Sequence, residues 1–389
     1  MRTKKIIVTT IILFIVLLPL IMWTIWLLTP KKPFKILIVD KTVLNQYARE
    51  HRGLNYLLKN NKYSKPDGNF YQVKSDYYGF FPLENKQYEI HDLSKFTEPQ
   101  LDSMADYYDA VYYADSYGMY YNEWYRDTLQ QEHSEKIYGG LDAQDLMIIK
   151  KMKARKKLIV TEFNFFASPT PYGIRRDLET TFNLKWTGWT GRYFDILDTL
   201  KNPELPHWVV RLYREQHNYQ WPFTKSGIVF AHEDSRVEVL ENGRDLDLEV
   251  PYIKSFYSST QKYGIPDVLY YPYWFEITYS TDTSNHVFSY YQLMPNSRGD
   301  SILQHQGIPK LFPAAFEHTQ DYKFFYFGGD FVDYPANFNF VQLKGIYYFH
   351  LFLLGKPTPN ETDHFYYRYY TPLVETILDD YYKSMKNGK

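Results

Sequence analysis

The stretch Tyr108-Asp-Ala-Val-Tyr-Tyr-Ala-Asp-Ser-Tyr-Gly118 is the one on which the reading of this chain turns. Asp109 to Ala114 reads as a strand, and Asp115, Ser116, Tyr117 and Gly118 follow at its end as a polar turn. Working outward, Phe34 to Asp40 is a second strand, apolar throughout apart from Lys35. Leu44 to Asn60 then shows helical spacing at Leu44, Tyr47, Ala48, Leu54, Leu57 and Leu58. Tyr88 to His91 is a short strand and Leu101 to Tyr108 a helix. Asp142 caps a helix over Ala143 to Ala154, Lys157 to Thr161 is the next strand, and Thr170 with Pro171 opens a helix running to about Phe182. Strand and helix alternate, which predicts an α/β fold with a mostly parallel, doubly wound sheet.

The second half changes character. Ser226 to Ala231 and Arg236 to Leu240 read as paired strands. Tyr270 to Tyr279, His286 to Leu293 and Tyr322 to Phe327 are aromatic-rich strands, and helices over Phe338 to Leu354 and Tyr370 to Met385 close the chain. The expected organisation is therefore residues 1–30 as tail and anchor, 31–225 as the α/β domain, and 226–389 as a β-rich continuation on the same sheet.

The anchor is expected from Ile6 to Leu28, which carries no charge and would reach about 34 Å as a helix, enough to cross a bilayer core of about 30 Å. It is too long for the apolar region of a cleaved signal peptide and lacks a small-x-small site after it. The sequence thus predicts a signal anchor, a single-pass membrane protein with its body outside the cytoplasm, and Trp23 and Trp26 at the outer interface.

Composition narrows the chemistry. Lys+Arg number 44 against 45 Asp+Glu, which leaves no basic excess for a nucleic-acid partner. With no cysteine there is no disulfide framework and no thiolate metal site or nucleophile. Tyr (40) and Phe (27) abound, many of the tyrosines in adjacent pairs such as Tyr112-Tyr113 and Tyr366-Tyr367. In a half-exposed strand each pair would turn one ring outward, and such rings suit a sugar-binding surface; Tyr and Phe are also strand formers, and composition alone is the favoured account of their number. Nucleotide-binding, zinc-protease and hydrolase-elbow motifs are absent, and the scattered histidines predict no metal and no cofactor. Asn360-Glu361-Thr362 matches a glycosylation sequon.

The strongest constellation lies where the predicted strands end. Asp40, Asp115, Glu162, His232-Glu233-Asp234 and Asp330 with Asp333 each follow a strand, and ligands of open α/β sheets bind at strand carboxyl ends. Glu162 and Asp330 are the expected catalytic pair, for general acid/base work. Asp40, Asp115, Asn164 and Asp333 are expected to bind the ligand, with Arg192 and Trp189 from the Gly188-Trp-Thr-Gly-Arg-Tyr193 cluster, read as a loop. Glu50 and His51 fall early in the first helical segment, where a surface histidine is expected.

The order of elements resembles the class I glutamine amidotransferase-like group of flavodoxin-like folds. The resemblance rests on the strand from Lys35 to Asp40, on YDAVYYADSYG (108–118), on KKLIVTEFN (156–164) and on YFGGD (326–330). Members that hydrolyse glutamine carry a cysteine at the elbow after the third strand, where this chain has Tyr117, so glutamine amidotransferase activity is not expected. Relatives of this group occur beside sugar-active proteins, and by that analogy the chain is expected to handle cell-surface polysaccharide as a binding or assembly component. A carboxylate-dependent glycan hydrolase or lyase is the first alternative, and a structural partner of a membrane complex the second.

Overall fold

The computed structural model describes residues 2–126, 134–334, 340–359 and 362–387, with side chains in the first helix described at Leu13 and from Val16 onward. The chain begins with α1 (Arg2–Leu28), β1 (Ile36–Asp40), α2 (Arg49–Asn60), β2 (Tyr78–Pro82), β3 (Tyr88–His91), α3 (Glu98–Tyr107) and β4 (Ala110–Asp115). There follow α4 (Ala143–Ala154), β5 (Leu158–Thr161), α5 (Tyr172–Phe182), β6 (Leu184–Phe194) and α6 (His207–Gln216). Strands dominate the remainder: β7 (Gly227–His232), β8 (Val237–Glu241), β9 (Leu246–Ser255), β10 (Val268–Tyr270), β11 (Trp274–Ser280), β12 (His286–Pro295), β13 (Leu311–His318) and β14 (Lys323–Phe327), before the closing helix α7 (Thr371–Asn387).

One sheet of ten strands organises the molecule, in the order β10-β9-β12-β13-β14-β5-β4-β1-β2-β3. Its neighbours β14, β5, β4, β1 and β2 run parallel, and all the other pairings in it are antiparallel. The sheet is therefore mixed, and the expected mostly parallel doubly wound sheet is overturned. The physical reason is the connections. Helices α3 and α4 return the chain for the next parallel strand, whereas β13 and β14 are joined by a turn over residues 319–322, too short for a parallel crossover, and β12 pairs antiparallel with β13 although the helix Ser297–Gln306 lies between them. The alternation of the first half does not extend to the second.

Both faces of the parallel part are covered. Leu54 and Leu57 of α2, with Leu373 and Ile377 of α7, pack with Ile36, Ile38, Tyr112 and Val160. On the other side, Leu101 of α3, Ile149 of α4 and Leu178 of α5 meet Leu37, Val39, Tyr113 and Ile159. Tyr112 and Tyr113 consequently point to opposite faces and are both buried, so this pair presents no ring outward. A second sheet, β8-β7-β6-β11, lays Ile228, Phe230, Phe275 and Ile277 on the core of the large sheet, and it turns Val229, Val237 and Val239 toward α6.

The segment around Gly188 to Tyr193 is part of strand β6 rather than a loop. Gly188 at φ 91 sits in the register shift between Trp186 and Thr190, so the glycine that reads as a turn marks a bulge within a continuous strand.

Among the described residues no helix is long and apolar enough to cross a membrane. The expected transmembrane anchor and the single-pass membrane location are thus overturned, and with them the ground for placing the body outside the cytoplasm. The end of α1 makes protein contacts instead. Met22 and Trp26 are buried. The Trp26 indole donates to the Asn60 carbonyl at 3.1 Å, and Lys62 Nζ stands 3.8 Å from the Trp26 ring centre. Most of the other apolar side chains described in α1, among them Val16, Leu20, Ile25 and Leu28, are exposed. Asn360 and Glu361 of the sequon lie outside the described residues.

Candidate functional site

The parallel strands deliver their carboxyl ends to one edge of the sheet. From β1 the chain crosses to β2 on one side, while β4, β5 and β14 succeed one another on the other. The direction of winding therefore reverses between β1 and β4, and a reversal of this kind leaves a crevice beyond the strand ends. Asp40 and Asp115 close these two strands as register partners. Glu162 follows β5, and Asp330 follows β14 after Gly328 and Gly329. Helix α2 starts nearby and contributes Arg49, Glu50 and His51.

Two glutamates build the walls. Glu162 is wholly buried; Tyr112 Oη donates to Oε1, and the amides of Phe331 and Val332 each donate to Oε2 at 2.9 Å. It therefore fixes the segment that carries Asp330 and Asp333. Glu276 of β11, also wholly buried, accepts the Asn164 amide at 2.7 Å and holds Asn164 in a left-handed conformation with φ 65. In that position Asn164 Nδ2 donates to Asp115 at 3.2 Å, and the Tyr117 amide donates to the same Asp115 oxygen at 2.7 Å. Burial pushes both glutamates up to about 8, and for Glu162 it does so against three hydrogen bonds that favour the carboxylate.

Asp40 is wholly buried and faces His51 Nδ1 at 2.5 Å, while His51 Nε2 faces the Val73 carbonyl at 2.8 Å. His51 is therefore a core residue, against the expected surface placement. Helix α2 begins at Arg49, not Leu44, which puts this turn of helix directly over the end of β1.

Arg49, Asp330 and Asp333 are half-buried, whereas Asp115 and Glu50 are buried. Asp333 pairs with Arg49 and is hydrogen-bonded to Asp330. Burial and the neighbouring Asp333 carboxylate push Asp330 well above the usual range; burial raises Asp333 too, with Arg49 opposing. Asp115 rises to about 7 through burial and the nearby Asp40, and Glu50 rises through burial with Asp40 and Asp333 beside it. Arg49, ion-paired with Asp333, thus opposes the rise of both carboxyls. The wall on the β11 side is aromatic. Trp274 lies 6.5 Å from Phe163, nearly parallel to it at 21°, and its carbonyl accepts the Asp330 amide at 3.2 Å.

The structure thus brings Asp40, Asp115, Glu162, Asn164, Asp330 and Asp333 into one region. Arg192 reaches its edge: it pairs with Glu204, lies 5.7 Å from the Trp274 ring centre and acts electrostatically on Asp333. Trp189 is elsewhere, buried between His232 and Arg236. Glu233 and Asp234 also lie apart, paired with Arg175 and Arg236. Arg49, Glu50 and Glu276 belong to the region without having been expected there. A strand-end rule overlooks residues on the following helix, and Glu276 comes from a strand of the second sheet. Among the described residues no group of three or more acidic or histidine side chains is arranged to hold a metal ion. A separate groove of about 340 Å³, lined by Tyr71, Tyr77, Phe81, Tyr107 and Tyr108 beside the start of β1, contains none of the crevice acids.

No protein-family model matches the sequence, and no curated protein matches it. Solved structures similar to it include a ThuA-like protein from Bacteroides uniformis, at 10% identity, 81% coverage of this chain, 90% of that one and a TM-score of 0.37. A ThuA-like protein from Parabacteroides merdae is similar at 10% identity over 86% of this chain and 99% of that one, with a TM-score of 0.36. At these values neither likeness transfers a fold or an activity.

Proposed function

We propose that this protein binds a polyhydroxylated ligand of the carbohydrate class in the crevice between Arg49, Asp115, Trp274 and Asp330, and cleaves it by carboxyl acid/base chemistry. The observation that carries the reading is the Asp330–Asp333 pair, two hydrogen-bonded carboxyl groups beside Arg49, half-buried at the strand ends. One proton is shared over two acids, so Asp330 remains a proton donor at a pH where an isolated aspartate is ionised. Asp330 gives that proton to the leaving oxygen as the glycosidic bond breaks. The water that replaces the leaving group returns a proton to the pair. Trp274, half-buried and backed by Phe163, supplies a flat apolar face for the C–H side of a sugar ring. Glu162, expected as the catalytic partner, is assigned a different part: wholly buried and saturated with internal donors, it positions Asp330.

The test is release of reducing ends from a panel of microbial, plant and animal polysaccharides. The protein is expected to act on at least one of them, and Asp330→Asn to slow that reaction about 100-fold or more, the usual size of a lost general acid, without a large fall in melting temperature. Binding of a polysaccharide with no turnover, unchanged in Asp330→Asn, would make the protein a binding component. Absence of both binding and turnover across the panel would refute the proposal.

A further inference from the structure

We propose that the groove beside the start of β1 is a second binding site, separate from the acidic crevice, and that it takes a flat aromatic ring carrying one carboxylate. The groove measures about 340 Å³ and reaches Ile36, Leu37 and Ile38, a volume at the small end of the range for small-molecule sites. Strand pairing explains why it exists. β4 accompanies β1 from Ile36 onward, whereas β2 pairs with β1 only at Val39 and Asp40. Among the described residues no strand pairs with Ile36 to Ile38 on the β2 side, and the gap is lined by side chains that include Tyr71, Tyr77 and Tyr108.

The polar groups of the lining decide what fits, and most of them are engaged within the protein. The Tyr71 hydroxyl donates to the Phe34 carbonyl at 2.7 Å, and the Ile36 amide donates to it at 2.9 Å. The Tyr77 hydroxyl donates to the Phe80 carbonyl at 2.7 Å, and Tyr108 is hydrogen-bonded to Tyr78. Lys65 donates to both Asp76 oxygens at 3.1 Å, which neutralises that pair, and His91 pairs with Glu89. A neutral sugar would leave hydroxyls desolvated against walls that have few groups left to bond them, whereas an apolar ring incurs no such loss. Lys35 is the exception. Its Nζ stands 4.6 Å from the centre of the Tyr107 ring, on the groove, and it forms no ion pair among the described residues; the nearby Asp109 accepts the Lys35 backbone amide instead, at 2.9 Å. The lining is therefore left with one uncompensated positive charge, which a single carboxylate complements through charge-assisted hydrogen bonds. Tyr107 is 49% exposed and offers its ring at the mouth, where an aromatic ligand gains an edge-to-face or offset contact.

The experiment is calorimetric titration of the full chain at neutral pH with sodium benzoate and sodium phenylacetate. Benzamide, which keeps the ring without the charge, and acetate, which keeps the charge without the ring, are the comparisons. The ring acids are expected to bind with Kd below about 1 mM and at least about 10-fold tighter than either comparison, as a charge-assisted contact added to a ring contact gives. Lys35→Met, which keeps an unbranched stem beside Tyr107, is expected to reduce the ring acids to the level of benzamide. Tyr107→Ala, at an exposed position, is expected to weaken them about 5-fold. On the unaltered protein, added sodium chloride should weaken benzoate and leave benzamide unchanged, a reading independent of whether either variant folds. Equal affinity for benzoate and benzamide, benzoate bound no more tightly than acetate, or an affinity unmoved by Tyr107→Ala would overturn the proposal. So would a preference for the acids that survives Lys35→Met, since it would place the carboxylate on another cation such as Arg49 of the crevice. The outcome does not depend on whether the crevice binds carbohydrate.

Discussion

At the scale of the residue, Gly53 shows how a small side chain can decide packing. It lies within α2, where alanine would ordinarily gain about 1 kcal/mol in helix propensity. A Cβ built there, however, would stand 2.7 Å from the Tyr366 ring and 3.0 Å from the Val332 carbonyl. Tyr366 cannot simply move aside, because its hydroxyl donates to the Gly53 carbonyl at 2.9 Å and its ring stacks on Tyr334. The steric term therefore outweighs propensity. Gly53→Ala is expected to lose about 1–3 kcal/mol in denaturant unfolding, the range for overpacking a tight site. Tyr366→Phe, which removes only the hydrogen bond, is expected to cost about 1 kcal/mol. A gain in stability for Gly53→Ala would show that the close approach is not maintained in solution. The same economy explains the tyrosine content at this end of the chain: Tyr366, Tyr367, Tyr369 and Tyr370 are all buried, and Tyr370 meets Tyr112 oxygen to oxygen at 3.0 Å. These rings fill the core and their hydroxyls tie elements together, rather than forming an outward sugar-binding surface.

At the scale of the element, the crevice depends on how the segment after β14 is tied down. Glu162 accepts from Phe331, Val332 and Tyr112, so Glu162→Ala would orphan two buried amides and a hydroxyl. Each buried donor left without an acceptor costs about 1–3 kcal/mol, which sums to a change large enough to threaten folding. Glu162→Gln keeps one acceptor oxygen and is expected to fold with a smaller loss. In that variant, hydrogen exchange at the Phe331 and Val332 amides should accelerate while the β4 and β5 amides stay protected. Unchanged exchange at those two positions would remove Glu162 as the tether. Much of this element-level picture was legible in the sequence. The β1, β4 and β5 strands and the acids at their ends follow from short apolar runs closed by polar turns, and Asp142 as a helix cap follows from its place before Ala143. What was not legible has physical causes. Strand β6 was hidden by Gly188 and Gly191, which read as loop. Strand direction in the second half depends on long-range pairing that no local pattern encodes. Glu276 reaches the crevice only because β11, in the second sheet, packs over the strand ends, and Glu50 and His51 join it only because α2 starts at Arg49.

At the scale of the whole molecule, several acids share one environment, and their effects combine in the dependence of stability on pH. Glu162 and Glu276 are pushed up to about 8 and Asp115 to about 7, chiefly by burial. In an unfolded chain such groups titrate near 4. Between these limits the native state binds more protons than the unfolded state, so the slope of unfolding free energy with pH is negative. Their contribution is fully present below about pH 4, shrinks as pH rises, and is lost by about pH 8. Groups shifted the other way do not cancel this. Glu317 and Asp379, held low by partners that include Lys262 and Lys32, weaken the fold only as pH falls through the acid range. His350, lowered by burial, favours the native state as pH rises, but it is one group against three. The melting temperature is therefore expected to be higher at pH 5 than at pH 8, with Glu162→Gln and Glu276→Gln together flattening the decline, since neither replacement titrates. A melting temperature that climbs between pH 5 and 8 would mean that these carboxyls are ionised in the native state. Asp330 would then have lost the proton on which the proposed chemistry depends, because it sits in the same desolvated cluster.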